Sequence, residues 1–150
     1  MKNVFEPNDL EALRARIAQL RPESNRQWGT MSVAQALAHC SLGVQTATGE
    51  LRPPRKLIGR ILGPIVKPKV VGDDQPMRRN SPTMKELIVL HEPDFATEQV
   101  RLIGLLENFS AAGPPACTSH PHAFFGPLKP DEWAILMYKH IDHHLRQFGV

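Results

Sequence analysis

The sequence predicts an all-α protein, a four-helix bundle with an irregular, Pro-rich excursion between its second and third long helices. Two observations carry this. Four long segments space their apolar residues three to five apart, between recognisable start and stop signals. Strand signals are poor: only Leu87–Leu90 reads as a short apolar run, and it has no partner run.

The first segment runs from about Asn8 to Leu20, with Asn8 as N-cap and Leu10, Leu13, Ile17 and Leu20 as its stripe. Pro22 stops it. The second runs from about Ser32 to Thr48. Ser32 and Gln35 stand in capping-box spacing, and Gly49 follows as a stop. Residues 50–92 hold Pro53, Pro54, Pro64, Pro68, Pro76 and Pro82, which argue against a long helix and leave a short one around Arg55–Leu62. The third long segment is about Asp94–Ala112, closed by Gly113-Pro114-Pro115. The fourth is about Pro130–Phe148, with Pro130 in the first turn, Asp131 and Glu132 near the positive end, and Gly149 after it.

Length and composition fit this picture. The 150 residues suit a single domain over 1–150, and hydrophobic and charged fractions of 41% and 22% are ordinary globular values. A disordered chain, a collagen-like fibre and a disulfide mini-scaffold are excluded. Cys40 and Cys117 form no CxxC pair, so a reducing cytoplasm is expected. The formal charge of +3 is a weak excess and aromatic residues are only 6%, so nucleic-acid binding is not expected. The start lacks the apolar region of a signal peptide, and no uninterrupted apolar run reaches membrane-spanning length. A membrane partner is therefore not expected either. The basic apolar stretch Arg55–Val71 could form a membrane-surface helix, but Pro64 and Pro68 interrupt its periodicity. An excursion that covers the bundle is the favoured reading of it.

The chain lacks a P-loop, a dinucleotide-binding glycine pattern, a G-x-S-x-G elbow, an H-E-x-x-H helix and any Cys-based zinc motif. What it has is His140-Ile141-Asp142-His143-His144 on the last helix. His140 and His144 are one turn apart and project about 40° from each other, so two imidazoles can share one ion. Trp133, Leu136, Met137 and Gln147 fall in the same stripe, whereas Lys139, Asp142 and Arg146 project elsewhere. Two ligands leave a four-coordinate ion short, and His39 on the second helix is best placed as the third. Its face carries Gln35, Ala36, Gly43, Thr46 and Ala47, small or polar residues that leave room for a cavity. The neighbouring face, Val33, Leu37, Cys40 and Val44, is the packing one, which makes Cys40 a core thiol. Gln147, Gln35 and, in the loop before the last helix, His122 are the candidate substrate-binding residues. His143 flanks the stripe, and His91 and His120 read as loop residues.

The tail Leu136-Met137-Tyr138-Lys139-His140-Ile141-Asp142-His143-His144-Leu145-Arg146-Gln147-Phe148-Gly149 resembles the C-terminal signature of an uncharacterised, domain-of-unknown-function branch of the DinB/YfiT-like superfamily. So does Trp28-Gly29-Thr30-Met31-Ser32-Val33-Ala34-Gln35-Ala36-Leu37-Ala38-His39-Cys40, and Arg79-Asn80-Ser81-Pro82-Thr83 and Phe124-Phe125-Gly126 look like further landmarks. The chain has His122-Ala123-Phe124 where the branch more often has His-Pro-Phe. The resemblance implies an up-down-down-up four-helix bundle. It also implies a divalent-metal site of one histidine from the second helix and two from the last, which map to His39, His140 and His144. Characterised relatives include transferases and isomerases that use low-molecular-weight thiols such as bacillithiol, mycothiol or glutathione.

The expected function is thus a metalloenzyme with Zn or Ni at the three histidines, acting on a small-molecule substrate with a low-molecular-weight thiol, or a hydrolase if water is activated instead. No carboxylate falls on the site face, so no general base is named. The alternative is a non-catalytic bundle that binds a ligand or partner, its histidines structural or holding a structural metal. A homodimer through an exposed apolar helix face is a further expectation.

Overall fold

The structure is a computed structural model that describes residues 1–150. It contains five α-helices and no strand: α1 (Pro7–Gln19), α2 (Val33–Thr48), α3 (Leu57–Val71), α4 (Phe95–Ala112) and α5 (Pro130–Gln147). Short 3-10 turns occupy Lys85–Leu87 and Pro114–Ala116. Helix α2 packs along α4 and α5, and α1 lies against the same two helices. Helix α3 rests on α5. The core runs from Leu13 and Ile17 through Leu37, Cys40 and Val44 to Leu102, Leu106, Phe109, Trp133, Ile141 and Leu145.

The helix ends follow local chemistry. Ser32 and Gln35 form the reciprocal capping box on α2, and Gly49 closes it in the left-handed region at φ 83°. Asp94 caps α4 by accepting from the Thr97 N–H at 2.8 Å. Glu132 reaches back to the Lys129 N–H at 2.7 Å, which anchors the start of α5.

Two expectations are corrected and one is met. Helix α1 starts at Pro7, ahead of Asn8, because proline at the first helical position gives up an N–H that has no partner there anyway. The partnerless run Leu87–Leu90 forms no strand, in line with the weak strand signal: it is the end of a 3-10 turn and the loop beyond it. The short helix at Arg55–Leu62 is instead a 15-residue helix that continues through Pro64 and Pro68. Each proline removes one bond to the carbonyl four residues earlier, at Arg60 and Pro64. Both of those residues are exposed, so water can take the freed carbonyls.

Lys139 and Asp142, off the histidine stripe, are also covered. Helix α5 touches α1, α2 and α3, so little of its surface reaches solvent. Asp142 accepts from Arg16 at 2.7 Å and from Arg146 at 2.8 Å, and Lys139 pairs with Asp73 at 3.2 Å.

Leu106 is fully buried on α4, while Val100 on the same helix is largely exposed. In urea titrations, Leu106→Ala lowers the unfolding free energy by about 2–5 kcal/mol. Val100→Ala changes it by less than about 0.5 kcal/mol.

Candidate metal centre

Three imidazoles from two helices meet in the interior. His39 is 3% exposed, on the α2 face that turns toward α5. His140 and His144 lie one turn apart on α5, as their spacing requires. The ring centroids are 4.8 Å apart for His39–His140, 4.8 Å for His39–His144 and 5.1 Å for His140–His144. One nitrogen from each ring lies within 4.8 Å of the other two. Gly43 makes room for them: a Cβ there would sit 2.8 Å from His140 Nδ1. Of the small residues expected to open a cavity on this face of α2, Gly43 serves the His140 ring, whereas Ala36 and Ala47 pack in the core.

Hydrogen bonds fix which nitrogens carry protons. His39 Nδ1–H donates to the Leu87 carbonyl at 2.9 Å, so its Nε2 holds a lone pair. Gln147 donates its Nε2 to the Trp28 carbonyl at 2.8 Å, which turns its Oε1 toward His144 Nδ1, also at 2.8 Å. His144 Nδ1 therefore carries the proton, and its Nε2 is also bare. His140 Nε2 lies 2.8 Å from His39 Nε2 and is the donor of that contact when no ion is bound. This is the pattern of helical metal sites, in which a partner holds the far nitrogen and sets the tautomer of the ligand.

Burial keeps the rings neutral. It holds His39 below the ordinary imidazole value against the raising effect of the Leu87 bond. It pushes His140 well below that value, with the His39 and His144 rings adding to the effect. It takes His144 down to about 3. Neutral imidazoles present lone pairs without competition from protons. The donor set fits a divalent ion such as zinc, whose Zn–N bonds of about 2.0–2.1 Å place ligand nitrogens roughly 3.3 Å apart. Here the His39–His140 pair is closer than that, at 2.8 Å, and all three ligand nitrogens lie within 4.8 Å of one another. The His39/His140/His144 cluster could therefore hold a metal ion.

The other predicted residues have distinct positions. Gln147 spends its amide on His144 and the Trp28 carbonyl, so it positions a ring. Gln35 spends its amide on the Ser32 N–H and the His91 carbonyl, so it is occupied as a cap. His122 stacks on Phe125 and lies against Trp133, and its Nδ1 accepts the Phe124 and Phe125 N–H groups at 3.1 Å each. Its Nε2 must then carry the proton. The buried Trp133 Nε1–H beside it has no acceptor within the chain. His143 meets Trp28 edge-on, and Arg79 lies 4.1 Å over the Trp28 ring. Cys40 is buried, and burial alone pushes its thiol far up, so it is a core residue. His91 is exposed, and His120 lies 3.4 Å from the Pro53 carbonyl.

Sequence reasoning missed the carbonyls of Leu87 and Trp28, which leave no side-chain signal. It also missed why Gly29 precedes α2. At φ 76°, a Cβ on Gly29 would meet Gln147 Nε2 at 2.5 Å. The Trp28-Gly29 pair was the available clue.

The family model described as protein of unknown function (DUF1569) matches residues 2–149. The chain belongs to the DUF1569 family. No curated protein and no solved structure matches it significantly. The match takes in every helix of this DUF1569 chain, and all three clustered histidines with it.

Two predictions follow from the geometry of this DUF1569 site. Gly43→Ala gains helix propensity of roughly 0.5–1 kcal/mol but forces the His140 ring to move. Isothermal titration with Zn²⁺ should show affinity at least about tenfold weaker than the parent, without a matching loss of thermal stability. The second concerns His122, which burial and the nearby Arg55 charge lower to about 4. Below pH 6.5 the unfolded chain takes up this proton before the folded one does. Stability is full above that pH and is lost as pH falls toward about 4, by about 1.4 kcal/mol per pH unit from this group. His122→Asn keeps an acceptor but does not titrate, so its urea-derived stability should fall less steeply over that window.

Proposed function

We propose that this chain is a divalent-metal-dependent enzyme on a DinB/YfiT-like four-helix bundle, with His39, His140 and His144 as ligands and transfer of a low-molecular-weight thiol to a small molecule as its reaction. The observation that carries the metal is the tautomer arrangement. His39 and His144 have their Nδ1 protons tied to fixed acceptors, and both point bare Nε2 atoms into a cluster that His140 completes. The shared core of α1, α2, α4 and α5 supports the bundle, with α3 as an addition from the excursion. The thiol rests on the superfamily resemblance.

A Zn or Ni ion at this site supplies Lewis acidity, which lowers the pKa of a bound thiol or water. The chain's own residues do the rest. The Leu87 carbonyl and Gln147 hold two ligand rings in place, and His122 packs between the buried Trp133 and the partly buried Phe125. His122 Nε2–H and Trp133 Nε1–H are donors with no acceptor in the protein, available to orient an incoming polar group. Water in place of the thiol would make the same site hydrolytic. Cys40 and Cys117 are both free, which suits a reducing cytoplasm.

One observation favours a second reading. The 2.8 Å contact between His140 and His39 satisfies both nitrogens without an ion, as expected of a non-catalytic ligand- or partner-binding bundle with structural histidines.

The test is metal content of untagged protein purified without chelator, beside a His140→Ala/His144→Ala double variant. The expected result is about one divalent ion per chain in the parent and none in the variant. A metal-free parent whose melting temperature does not rise with added Zn²⁺ or Ni²⁺ overturns the enzyme reading and leaves the structural one.

A further inference from the structure

Helix α3 turns its small residues inward and its large ones outward. Gly59 and Gly63 are buried against the backbone of Phe124: a Cβ at Gly59 would meet Phe124 Cα at 2.6 Å, and one at Gly63 would strike the Phe124 carbonyl. The opposite face carries Leu57, Ile58, Ile61, Leu62 and Ile65, which are 77%, 60%, 73%, 40% and 62% exposed. At 100° per residue these five span roughly 140°, centred opposite the glycines. A helix that is apolar on both sides is covered on both sides, and a contiguous exposed apolar stripe marks an interaction surface.

Charge identifies what covers it. Residues 51–72 contain six Lys and Arg and no Asp or Glu. Lys56 and Lys67 are paired to Glu86 and Glu132, and Arg55 donates to the His122 carbonyl. Arg60 projects about 60° beyond the Leu57 edge of the stripe, Lys69 continues the stripe one turn past Ile65, and neither makes an ion pair. A second copy docked symmetrically would set these cations against their own kind. An anionic surface answers both the stripe and the cations. The depth is set by the prolines. Pro64 and Pro68 free the carbonyls of Arg60 and Pro64, which need water, so the helix suits the headgroup boundary and not the hydrocarbon interior. No helix of the chain is long and apolar enough to cross a membrane.

We propose that α3 docks this protein on an anionic lipid bilayer, with Leu57, Ile58, Ile61, Leu62 and Ile65 in the headgroup–acyl boundary and Arg60 and Lys69 toward the lipid phosphates. The sequence weighed against a membrane partner because two prolines interrupt the stretch; the continuous helix removes that objection.

The test is co-sedimentation of the full chain with large unilamellar vesicles. One set is phosphatidylcholine alone, and the other contains about one-third phosphatidylglycerol. Binding to the anionic set should be at least about tenfold tighter and should weaken several-fold when salt rises from about 0.05 to 0.5 M. Ile61→Glu/Ile65→Glu should weaken it by at least about tenfold, with an unchanged unfolding midpoint because both side chains are exposed. Arg60→Glu/Lys69→Glu should abolish the preference for anionic lipid and provides a second variant whose fold is equally undisturbed. No association of the parent with anionic vesicles at low salt overturns the proposal, as does equal binding by both variants. A dimer in sedimentation equilibrium that Ile61→Glu/Ile65→Glu dissociates overturns it in favour of self-association.

Discussion

A buried imidazole has two ring nitrogens to satisfy, and this chain is arranged around fixing one nitrogen each of His39 and His144 so that the other faces the cluster. One acceptor comes from outside the helices, and the other is held in place by a carbonyl that does. His39 draws the carbonyl of Leu87 in from the excursion, more than forty residues away in sequence. His144 takes Gln147, and Gln147 takes the carbonyl of Trp28 ahead of α2. The Gln27 N–H adds a bond to the Gln147 carbonyl at 2.8 Å. Two irregular segments are therefore pinned to the helices through the same cluster. A buried donor without an acceptor costs more than the bond itself is worth, so the loops cannot drift without penalty. The bonds that order the loops also aim the lone pairs.

Helix α5 can carry this cluster because nearly every face of it is used. The histidine face meets α2, and Asp142 meets Arg16 of α1. Lys139 meets Asp73 just beyond α3. These ion pairs are partly covered, so their net stabilisation is modest once desolvation is counted. What they add is position. Asp142 serves Arg16 and Arg146 together, and a shift of α5 along α1 would strand its carboxylate. The register that places His140 opposite Gly43 is thus held from the far side of the helix.

Much of this was legible in the sequence, for identifiable reasons. The capping box of α2, the Asp94 cap and the stop at Gly49 are local, and local chemistry decides them. The projection of His140, His144 and Gln147 onto one stripe, with His39 on a face of small residues, needs only helical geometry. Helix α3 was not legible. Its prolines argue against a helix when every carbonyl must be bonded, but exposed carbonyls can use water, and exposure is a tertiary property. The role of Gln35 was half legible: the cap was visible, but the His91 carbonyl that occupies the rest of its amide was not. The acceptors at Leu87 and Trp28 were invisible because a carbonyl has the same signature at every residue.

The exposed helix and the buried cluster are not independent. The glycine face of α3 sits on Phe124, and the Lys56 N–H bonds the Ala123 carbonyl at 3.0 Å. Arg55 donates to the carbonyl of His122 at 2.9 Å. The N–H groups of Phe124 and Phe125 in turn fix the His122 ring, which lies against Trp133, two turns before His140 on α5. A displacement of α3 must therefore move the segment that orients His122, because no side chain at Gly59 or Gly63 cushions the contact. Side chains there would have padded the helix away from the loop. The two glycines let α3 sit directly on the Phe124 backbone, so whatever binds on one side of α3 acts on a helix already seated against the other.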